Sequence, residues 1–345
     1  MKKITTLSLL FLFTILFINA QTTITVDNTV GADANYSDLQ AAINAASAGD
    51  IIYIHASEIN YGNIQIDKSI NLIGYAHSDI DKNTFIDDII FLDNSSDTRV
   101  TGLNIDDVAF NNSSLLDNII FENNYFGGSN SSGSGVSANN GLVNNLIFRG
   151  NVIDFIGTTS ASTTANNFNN IIVSNNIVTG NINIRLHETA IIENNIFIDF
   201  AGASNRSVST GNLEVEDSIF YIASSGNPAD LNNEGVIYNN CLTYNSISGV
   251  LPLNGSNNIN DTDPLFVNVS NPVFDPLFDY SLQAGSPALM MGTDNDDIGL
   301  YSTNTNFTFN NFGFTAGIPI VTITAITSQI APGGTLEVTI QSNSN

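Results

Sequence analysis

The chain is poor in cysteine, tryptophan and basic residues. Its 345 residues include one cysteine, Cys241, no tryptophan, and eight lysines and arginines against 33 aspartates and glutamates. A single cysteine excludes an intramolecular disulfide, so the fold must be stabilised by its packed core. A reactive thiolate needs a neighbouring histidine or cation, and none stands near Cys241 in the sequence. We therefore interpret Cys241 as a small packed side chain.

The shortage of basic residues also limits the partners of the protein. The formal net charge is −25 at pH 7, and a field of this sign repels nucleic acid and anionic lipid. It also opposes the binding of uronic-acid polymers, unless calcium or a local basic patch intervenes. The composition therefore predicts no nucleic-acid partner.

The first 20 residues have the pattern of a secretory signal peptide. Lys2 and Lys3 precede an apolar run at residues 9–17, and the small residue Ala20 stands at the expected cleavage point. The apolar run is too short to span a membrane comfortably. We therefore predict a secreted protein, located outside the cell, at its surface or in the periplasm, with no membrane span after cleavage. Cleavage removes two basic residues and no acidic one, which leaves a net charge of −27.

One short phrase recurs within residues 116–258. Its clearest copies consist of an apolar triplet, a pair of asparagines and two further apolar residues, and the second asparagine returns every 18 to 27 residues. The copies begin at Asn118, Asn145, Asn170, Thr189, Asn212 and Glu234. Such a period is typical of a β-solenoid, in which each repeat forms one coil and neighbouring coils bury one another. The alternative, a series of polar loops with a biased composition, does not explain the fixed offset from the apolar triplet.

Alternation of side chains along each strand predicts three stacked columns. The inward apolar column is expected to contain Phe121, Phe148, Val173, Ile192, Val215 and Ile237. An inward column at the bend is expected to contain Asn124, Asn151, Asn176, Asn195 and Asn240. Asparagine tolerates a left-handed backbone, and stacked amides can hydrogen-bond from coil to coil. An outward column is expected to contain Ile120, Ile147, Ile172 and Ile191, interrupted at Glu214 and resumed at Val236.

The two ends of the repeat region have their own patterns. Residues 36–49 predict an amphipathic helix with Leu39, Ala42 and Ile43 on one face, suited to plug an open solenoid end. Residues 320–327 and 335–341 predict a hairpin that docks onto the solenoid or begins a further β domain. We therefore divide the chain into a signal peptide at residues 1–20, a β-helix domain at residues 21–301 and a strand-rich part at residues 302–345.

Both ends of the β-helix domain resemble a known family. Residues 37–54, SDLQAAINAASAGDIIYI, and residues 63–76, NIQIDKSINLIGYA, are similar to the capped amino terminus of secreted bacterial pectin-lyase-like proteins. Residues 263–268, DPLFVN, and residues 279–301 are similar to the closing coil of bacterial members. The resemblance implies an all-β fold, a right-handed parallel β-helix. It leaves activity open, because members include polysaccharide lyases, glycoside hydrolases and proteins without known catalysis.

A lyase of this family would need calcium or arginine to neutralise a uronate, and a lysine or arginine as base; this is implied by the resemblance. One strand, residues 181–188, places Arg185 and His187 on the same outer face, and Arg206 follows about one coil later. Cations close together on so acidic a protein would hold an anion, such as a sugar carboxylate. We therefore select Arg185, His187 and Arg206 as candidate ligand-binding residues; the alternative is an ordinary polar face.

Two other basic residues have simpler interpretations. Lys68 is expected to be a solvated turn lysine. Arg149 occupies the outward position that Glu122 and Glu193 hold in other copies, which favours a surface ion pair.

The acidic residues offer only weak catalytic signals. A glycoside hydrolase needs two carboxyl groups roughly 5 to 10 Å apart. Within the adjacent pairs 87–88 and 106–107, neighbouring strand residues are expected to point to opposite faces. Asp294, Asp296 and Asp297 are weak metal candidates, since they lack the spaced ligands and glycine of a dedicated calcium loop. We assign no catalytic residue and predict no cofactor, with calcium left open.

Three functional classes follow from the sequence. The first and favoured one is a secreted, non-catalytic β-helix that binds polysaccharide or has a structural role at the cell surface. The second is a polysaccharide lyase or glycoside hydrolase, and the third is an adhesin or assembly module that uses flat strand faces. The oligomeric state is not specified by the sequence.

Overall fold

The computed structural model describes residues 21–78, 83–127, 135–137, 141–157, 168–183, 189–198, 208, 213–225, 228–232, 235–301, 307–309, 319–326 and 333–344. Two parallel β-sheets wind around a common core, and each strand pairs with the equivalent strands of the coils before and after it. The predicted all-β parallel solenoid is therefore confirmed. No helix in the described part is long and apolar enough to cross a membrane.

The first sheet has 12 strands in the described part of the chain. They are Thr23–Val26, Ile51–Ile54, Asn71–Gly74, Thr98–Thr101, Leu116–Glu122, Val143–Arg149, Phe168–Asn169, Ile172–Ser174, Ile191–Glu193, Leu213–Glu216, Val236–Asn239 and Gly255–Ser256. The second sheet has 10. They are Ile64–Ile66, Phe85–Phe91, Asn104–Phe110, Tyr125–Phe126, Gly135–Ser137, Val152–Gly157, Ile177–Asn183, Ile196–Ile198, Ile219–Ile222 and Leu242–Asn245.

The predicted inward apolar column is confirmed at five of its six positions. Phe121, Phe148, Val173, Ile192 and Val215 are all buried, and their strands are paired in register. The sixth position is wrong, because Val215 pairs with Tyr238 and Ile237 is 46% exposed. The last copy of the phrase is shifted by one residue, so that the buried Tyr238 ring occupies the column.

The asparagine column is a buried hydrogen-bonded ladder, hereafter the ladder. Asn124, Asn151, Asn176 and Asn195 are fully buried. The Oδ1 atom of each later asparagine accepts the backbone N–H of the earlier one, at 2.9, 2.9 and 3.0 Å. The same Oδ1 atoms accept the Nδ2 group of the preceding asparagine at 3.0 to 3.1 Å.

The ladder continues with different side chains. Ser218 Oγ accepts the N–H of Asn195 at 3.2 Å, and Asn258 Oδ1 accepts the N–H of Cys241 at 2.9 Å. The predicted member Asn240 is wrong, again because of the one-residue shift, and Cys241 takes its place with Sγ 3.4 Å from the Val215 carbonyl. The interpretation of Cys241 as a packed side chain is thus confirmed.

The residue before each ladder position has a left-handed backbone and forms a second stack, hereafter the turn column. Its members in the described part of the chain include Asn123, Gly150, Asn175, Asn194, Asp217 and Asn240, with φ between 49° and 68°. Asparagine, aspartate and glycine tolerate this conformation best. The paired asparagines of the repeat therefore have different roles, since the first makes the bend and the second joins the coils.

The short helix Leu39–Ala45, α1, lies against the first strands of both sheets. It buries Leu39, Ala42 and Ile43 in the main core. The expectation for Lys68 is wrong: Lys68 Nζ lies 3.1 to 3.3 Å from the carbonyl oxygens of residues 43, 44 and 46. Lys68 therefore satisfies carbonyl groups at the end of α1, where a positive charge also complements the helix dipole.

A return segment, residues 263–301 and 307–309, packs on the outside of the second sheet. Phe266, Tyr280, Ile298 and Leu300 form a second apolar cluster with the outward side chains of that sheet. Its strands Phe266–Asn268 and Asp279–Leu282 pair antiparallel. The segment therefore covers the long apolar outer column of the sheet, and its two strands pair with each other in a separate sheet.

The turn column holds the return segment in place. Asn175 Nδ2 donates to the Leu300 carbonyl at 2.9 Å, and Asn194 Nδ2 donates to the Gly299 carbonyl at 3.3 Å. Asp217 Oδ1 accepts the N–H of Thr293 at 2.9 Å. The segment thus runs back along the stacked turns, from the last coils toward the first.

Beyond the return segment, Pro319–Ile326 and Val338–Ser344 form an antiparallel pair. Docking of this pair onto the solenoid stays a prediction, as does the right-handed sense of the coils.

The ladder generates a stability prediction. Asn176→Leu should lower the free energy of unfolding by about 1 to 3 kcal/mol, because it removes the acceptor of the buried Asn151 N–H and one of the two acceptors of the Asn151 amide, which keeps the Phe121 carbonyl. Asn176→Ser is the matched control, since a serine already serves this ladder at position 218, and should cost less. Thermal and urea unfolding measure both changes, and an unchanged melting temperature in the leucine variant would contradict the ladder.

Candidate functional site

The three candidate ligand-binding residues, Arg185, His187 and Arg206, lie outside the described residues. The strand that leads toward them, Ile177–Asn183, belongs to the second sheet. Its Ile182 is buried and bridges to Val208 of the next coil. The grouping of the three residues stays a prediction.

The expected ion pair of Arg149 is wrong. Glu122 pairs instead with Arg99, whose Nε and Nη2 lie 2.8 and 2.5 Å from Glu122 Oε2. The Arg149 guanidinium lies over the ring of Phe307, 5.5 Å from its centroid, as in a cation–π contact. Arg149 therefore helps to hold the return segment, next to Gly150, where a Cβ atom would come within 3.2 Å of the same ring.

The acidic pairs at 87–88 and 106–107 also differ from expectation. Along the strands Phe85–Phe91 and Asn104–Phe110 the alternation of burial is interrupted at these pairs, and none of the four carboxylates is buried. Burial, with the negative charges of Asp107, Asp106 and Asp87, raises the pKa of Asp88 above its usual range. Both members of each pair therefore lie on the outside.

The weak metal candidates lie in the return segment, beside the turn column. Asp297 Oδ1 accepts the N–H of Met290 at 2.8 Å, and Asp296 Oδ1 accepts the N–H of Asp297 at 2.9 Å. Asp294 is exposed. In the part of the chain that the structure describes, no group of three or more histidine, cysteine or acidic side chains could hold a metal ion.

These aspartates add negative charge to a crowded interface. Burial and the charge of Asp217 raise the pKa of Glu193, and burial, Glu214 and Asp217 raise the pKa of Glu216. The pKa of Asp217 is also raised, because burial and Asp296 outweigh its hydrogen bond from Thr293. The contact between the turn column and the return segment is therefore electrostatically unfavourable when all these carboxylates are charged.

A cleft of about 750 Å³ with ligand-binding chemistry lies in the first coils, hereafter the amino-terminal cleft. Its walls follow the carboxyl ends of the first three strands of the first sheet. It is lined by Asp27, Thr29, His55, Ala56, Ser57, Glu58, Ile59, Tyr75, Asn83 and Phe85.

Two long insertions build this cleft. In later coils two residues connect the two sheets, as between Leu116–Glu122 and Tyr125–Phe126. Residues 55–63 connect Ile51–Ile54 to Ile64–Ile66, and residues 75–84 connect Asn71–Gly74 to the next strand. The insertions contact each other through the Ser57 N–H and the Asn83 carbonyl, 3.1 Å apart. Where other coils have a tight turn of two residues between the sheets, the first coils therefore have a cavity.

The cleft combines aromatic and hydrogen-bonding groups. Tyr75 and Phe85 are partly exposed on its wall. His55 Nδ1 lies 3.7 Å from Asp27 Oδ2, and the Asp27 side chain is 17% exposed. Tyr61 supports the first insertion by donating its hydroxyl to the His55 carbonyl at 2.8 Å. Burial and the charge of Asp27 raise the pKa of Tyr61 to about 12, so this donor keeps its proton at neutral pH.

The cleft lies at the uncovered end of the outer column of the second sheet. In register, this column runs Phe85, Asn104, Tyr125, Val152, Ile177, Ile196, Ile219 and Leu242. The members from Val152 onward are fully buried. Tyr125 stacks on Phe274 of the return segment, with ring centroids 5.7 Å apart. His77 of the second insertion stacks on Tyr125 and meets the ring of Phe309 edge to face, with centroids 6.4 and 6.3 Å apart. The return segment therefore covers the column to Tyr125 and ends against the second insertion, and Phe85 is left to line the cleft.

The sequence analysis does not identify this cleft. A usable signal is the length of the connections, because nine and ten residues separate strands that two residues join elsewhere. A second signal is that His55, one of three histidines, directly follows a buried strand.

The crowded carboxylates generate a prediction about pH. A raised pKa in the folded state means that Glu193, Glu216 and Asp217 favour folding below their ordinary pKa, and that this contribution is lost as pH rises through the raised pKa. The melting temperature should therefore fall across that range. Glu193→Gln with Glu216→Gln should raise the melting temperature at pH 7 by a few degrees and flatten its pH dependence.

The control for this experiment is Glu58→Gln, an exposed carboxyl in the first coils, which should leave the pH profile unchanged. A double variant that melts lower than the wild type at pH 7 would show that the carboxylates stabilise the contact.

Comparison with protein-family models finds no match to the chain, and comparison with curated proteins finds none either. The resemblance to pectin-lyase-like proteins is supported at the level of the parallel β-solenoid alone.

Proposed function

We propose that the chain is an exported β-solenoid that binds polysaccharide in the amino-terminal cleft without cleaving it. The observation that carries the proposal is the cleft itself, where Tyr75 and Phe85 stand beside Asp27, His55 and Glu58. Binding sites commonly combine apolar and aromatic walls with a few placed polar groups.

The chemistry of the cleft suits a sugar ring. Aromatic side chains offer flat apolar faces to the C–H groups of a pyranose. Carboxylates accept hydroxyl protons in charge-assisted hydrogen bonds, which are stronger than neutral ones. Asn83 adds a buried Oδ1 atom that has no hydrogen-bond partner among the described residues, and a sugar hydroxyl that reached it would satisfy it.

The position of the cleft suits a polymer rather than a small metabolite. It opens at the corner between the two sheets. Phe85, the first residue of its strand in the second sheet, lines the far side of the cleft, and it begins an outward column of side chains that continues along the solenoid. A chain bound there can extend beyond the cleft on the side away from the return segment, which covers the column from Tyr125 onward. Export places the protein where such polymers occur.

Absence of catalysis is part of the proposal. The scarcity of basic residues leaves few candidates for the base of a lyase, and the described part of the chain gives the cleft one histidine–aspartate pair at 3.7 Å. That distance exceeds a hydrogen bond, so the two side chains form a loose ion pair when His55 is protonated.

The cleft generates a binding prediction. Tyr75→Ala or Phe85→Ala should weaken binding to the polysaccharide that the wild type retains by about tenfold, because stacking area is lost. Affinity electrophoresis against a panel of soluble polysaccharides measures retention, with and without calcium. Tyr53→Ala is the matched control, since Tyr53 is 39% exposed on the first sheet and does not line the cleft.

The same panel tests catalysis by reading unsaturated ends and reducing sugar. Product release by the wild type would overturn the non-catalytic part of the proposal. Retention that survives both alanine substitutions would overturn the placement of the site.

A second candidate function is an assembly module. It is favoured by the isoleucine strip, the outward column Ile120, Ile147, Ile172, Ile191 and Ile237 of the first sheet, which is paired in register from Ile120 to Ile191. Ile191 and Ile237 are 45% and 46% exposed, and the other three are partly exposed. The expected member Val236 is wrong, because it is buried and Ile237 stands outward. Contiguous apolar surface of this kind commonly meets a partner.

The strip generates a further prediction. Ile147→Thr with Ile172→Thr should preserve the fold, because both side chains lie outside the core, and should abolish any self-association that sedimentation detects in the wild type. The control is Ile247→Thr, at an isoleucine that is 61% exposed and does not belong to the strip. A double variant that unfolds would show that the strip is interior.

A further inference from the structure

We infer that the amino-terminal cleft selects glycans by charge, accepting uncharged chains and rejecting those that carry carboxylates, with Asp27 and Glu58 as the residues that determine this selectivity. The inference rests on the proposed function and names the substrate class of the same site. Three features support it: the charges of the side chains that line the cleft, the carboxylates that surround the cleft, and the hydrogen bonds that the two lining carboxylates can make with sugar hydroxyls.

The described lining has more negative than positive groups. Two carboxylates, Asp27 and Glu58, face one histidine, and neither lysine nor arginine contributes to the described wall. His55 lies near Asp27 at 3.7 Å, whereas Glu58 is exposed. A uronate placed on the aromatic wall would therefore meet an uncompensated carboxylate.

The surroundings of the cleft reinforce this charge. Phe85 begins the strand that carries Asp87 and Asp88, and Asn60 of the first insertion donates to Asp87 Oδ1 at 2.6 Å. Asp107 of the next coil pairs in register with Asp88. A polymer that leaves the cleft along the solenoid passes these carboxylates, so repulsion of a polyanion acts on more than one sugar.

The two selectivity residues also have a favourable role toward neutral sugars. A carboxylate accepts two hydroxyl protons, and neighbouring ring hydroxyls present donors at a matching separation. A glycan with only hydroxyl groups gains these bonds without repulsion. A uronate keeps its ring hydroxyls, but its carboxylate adds repulsion from Asp27 and Glu58. Selectivity of this kind uses an attractive and a repulsive element together.

The test uses the full chain and a matched pair of ligands. The first is a soluble neutral β-glucan, and the second is the same β-glucan after its C6 alcohols have been oxidised to carboxylates. Dissociation constants at low salt should differ by at least about tenfold in favour of the neutral polymer. The difference should shrink as salt is added, because exposed charges are screened.

Asp27→Asn and Glu58→Gln, alone and together, should reduce the preference for the neutral polymer, and the double variant should reduce it most. The amide introduced by Asp27→Asn keeps an oxygen for the N–H of Thr29, which Asp27 Oδ1 accepts at 2.8 Å, so the loop is expected to survive. Melting temperatures check this. Asp67→Asn is the control, since it removes one charge at a side chain that is 60% exposed outside the cleft.

The outcomes separate the two proposals. Binding of both polymers with equal affinity, or a preference for the oxidised one, overturns charge selection and leaves glycan binding intact. A preference that the double variant retains in full overturns the roles of Asp27 and Glu58. Failure of the wild type to bind any polysaccharide in the panel, neutral or charged, overturns the proposed function and this inference with it.

Discussion

The hydrogen bonds between stacked asparagine side chains are the interaction on which the other features depend. Each coil must turn sharply between its two sheets, and a sharp turn buries backbone N–H groups that a β-ladder cannot satisfy. Asn124, Asn151 and Asn176 provide both a donor and an acceptor at this point, and each joins its coil to the next. The stacked amides have the same spacing as the strands. Their hydrogen bonds therefore fix the register of both sheets at the turn that joins them.

The turn column follows from the same constraint. A left-handed residue is needed before each ladder position, and asparagine or aspartate there directs its side chain outward. Those outward groups bind the return segment at Leu300, Gly299 and Thr293. The left-handed backbone that each turn requires thus places side chains that bind a segment 76 to 125 residues further along the chain.

The return segment in turn decides which surface stays open. It covers the outer column of the second sheet from the last coils to Tyr125, and the two insertions shape what remains at Phe85. The cleft therefore depends on three features: the uncovered outer face at Phe85, two long connections, and a return segment that ends against the second connection at His77.

Much of the solenoid could be predicted from the sequence, because each copy of the repeat corresponds to one coil and its spacing follows the geometry of that coil. The interior column and the ladder from Asn124 to Asn195 need only the fixed offset between an apolar residue and the second asparagine. The same rule applied to residues 234–242 fails, because an asparagine pair occurs one residue early there. Tyr238 and Cys241 keep the offset that Phe121 and Asn124 have, and this spacing, rather than residue identity, marks the register.

The cleft could not be predicted in this way, because insertions carry no periodic signal. Alternation also failed at Asp87 and Asp88, where two neighbours both lie on the outside. Likewise, the role of Lys68 depends on how α1 lies over the first coil, which local sequence does not encode. Features that depend on contacts between distant segments are those that a repeat pattern leaves out.

The position of Cys241 in the ladder makes its thiol a natural probe for the opening of the last coils. Its thiol is fully buried, and burial raises its pKa well above the usual range. While the coil is closed, a reagent therefore cannot reach the thiol, and the reactive thiolate does not form. The rate at which a thiol reagent labels the native protein therefore measures how often the last coils open. Since Cys241 is the only thiol in the chain, the signal has a single origin and needs no engineered probe.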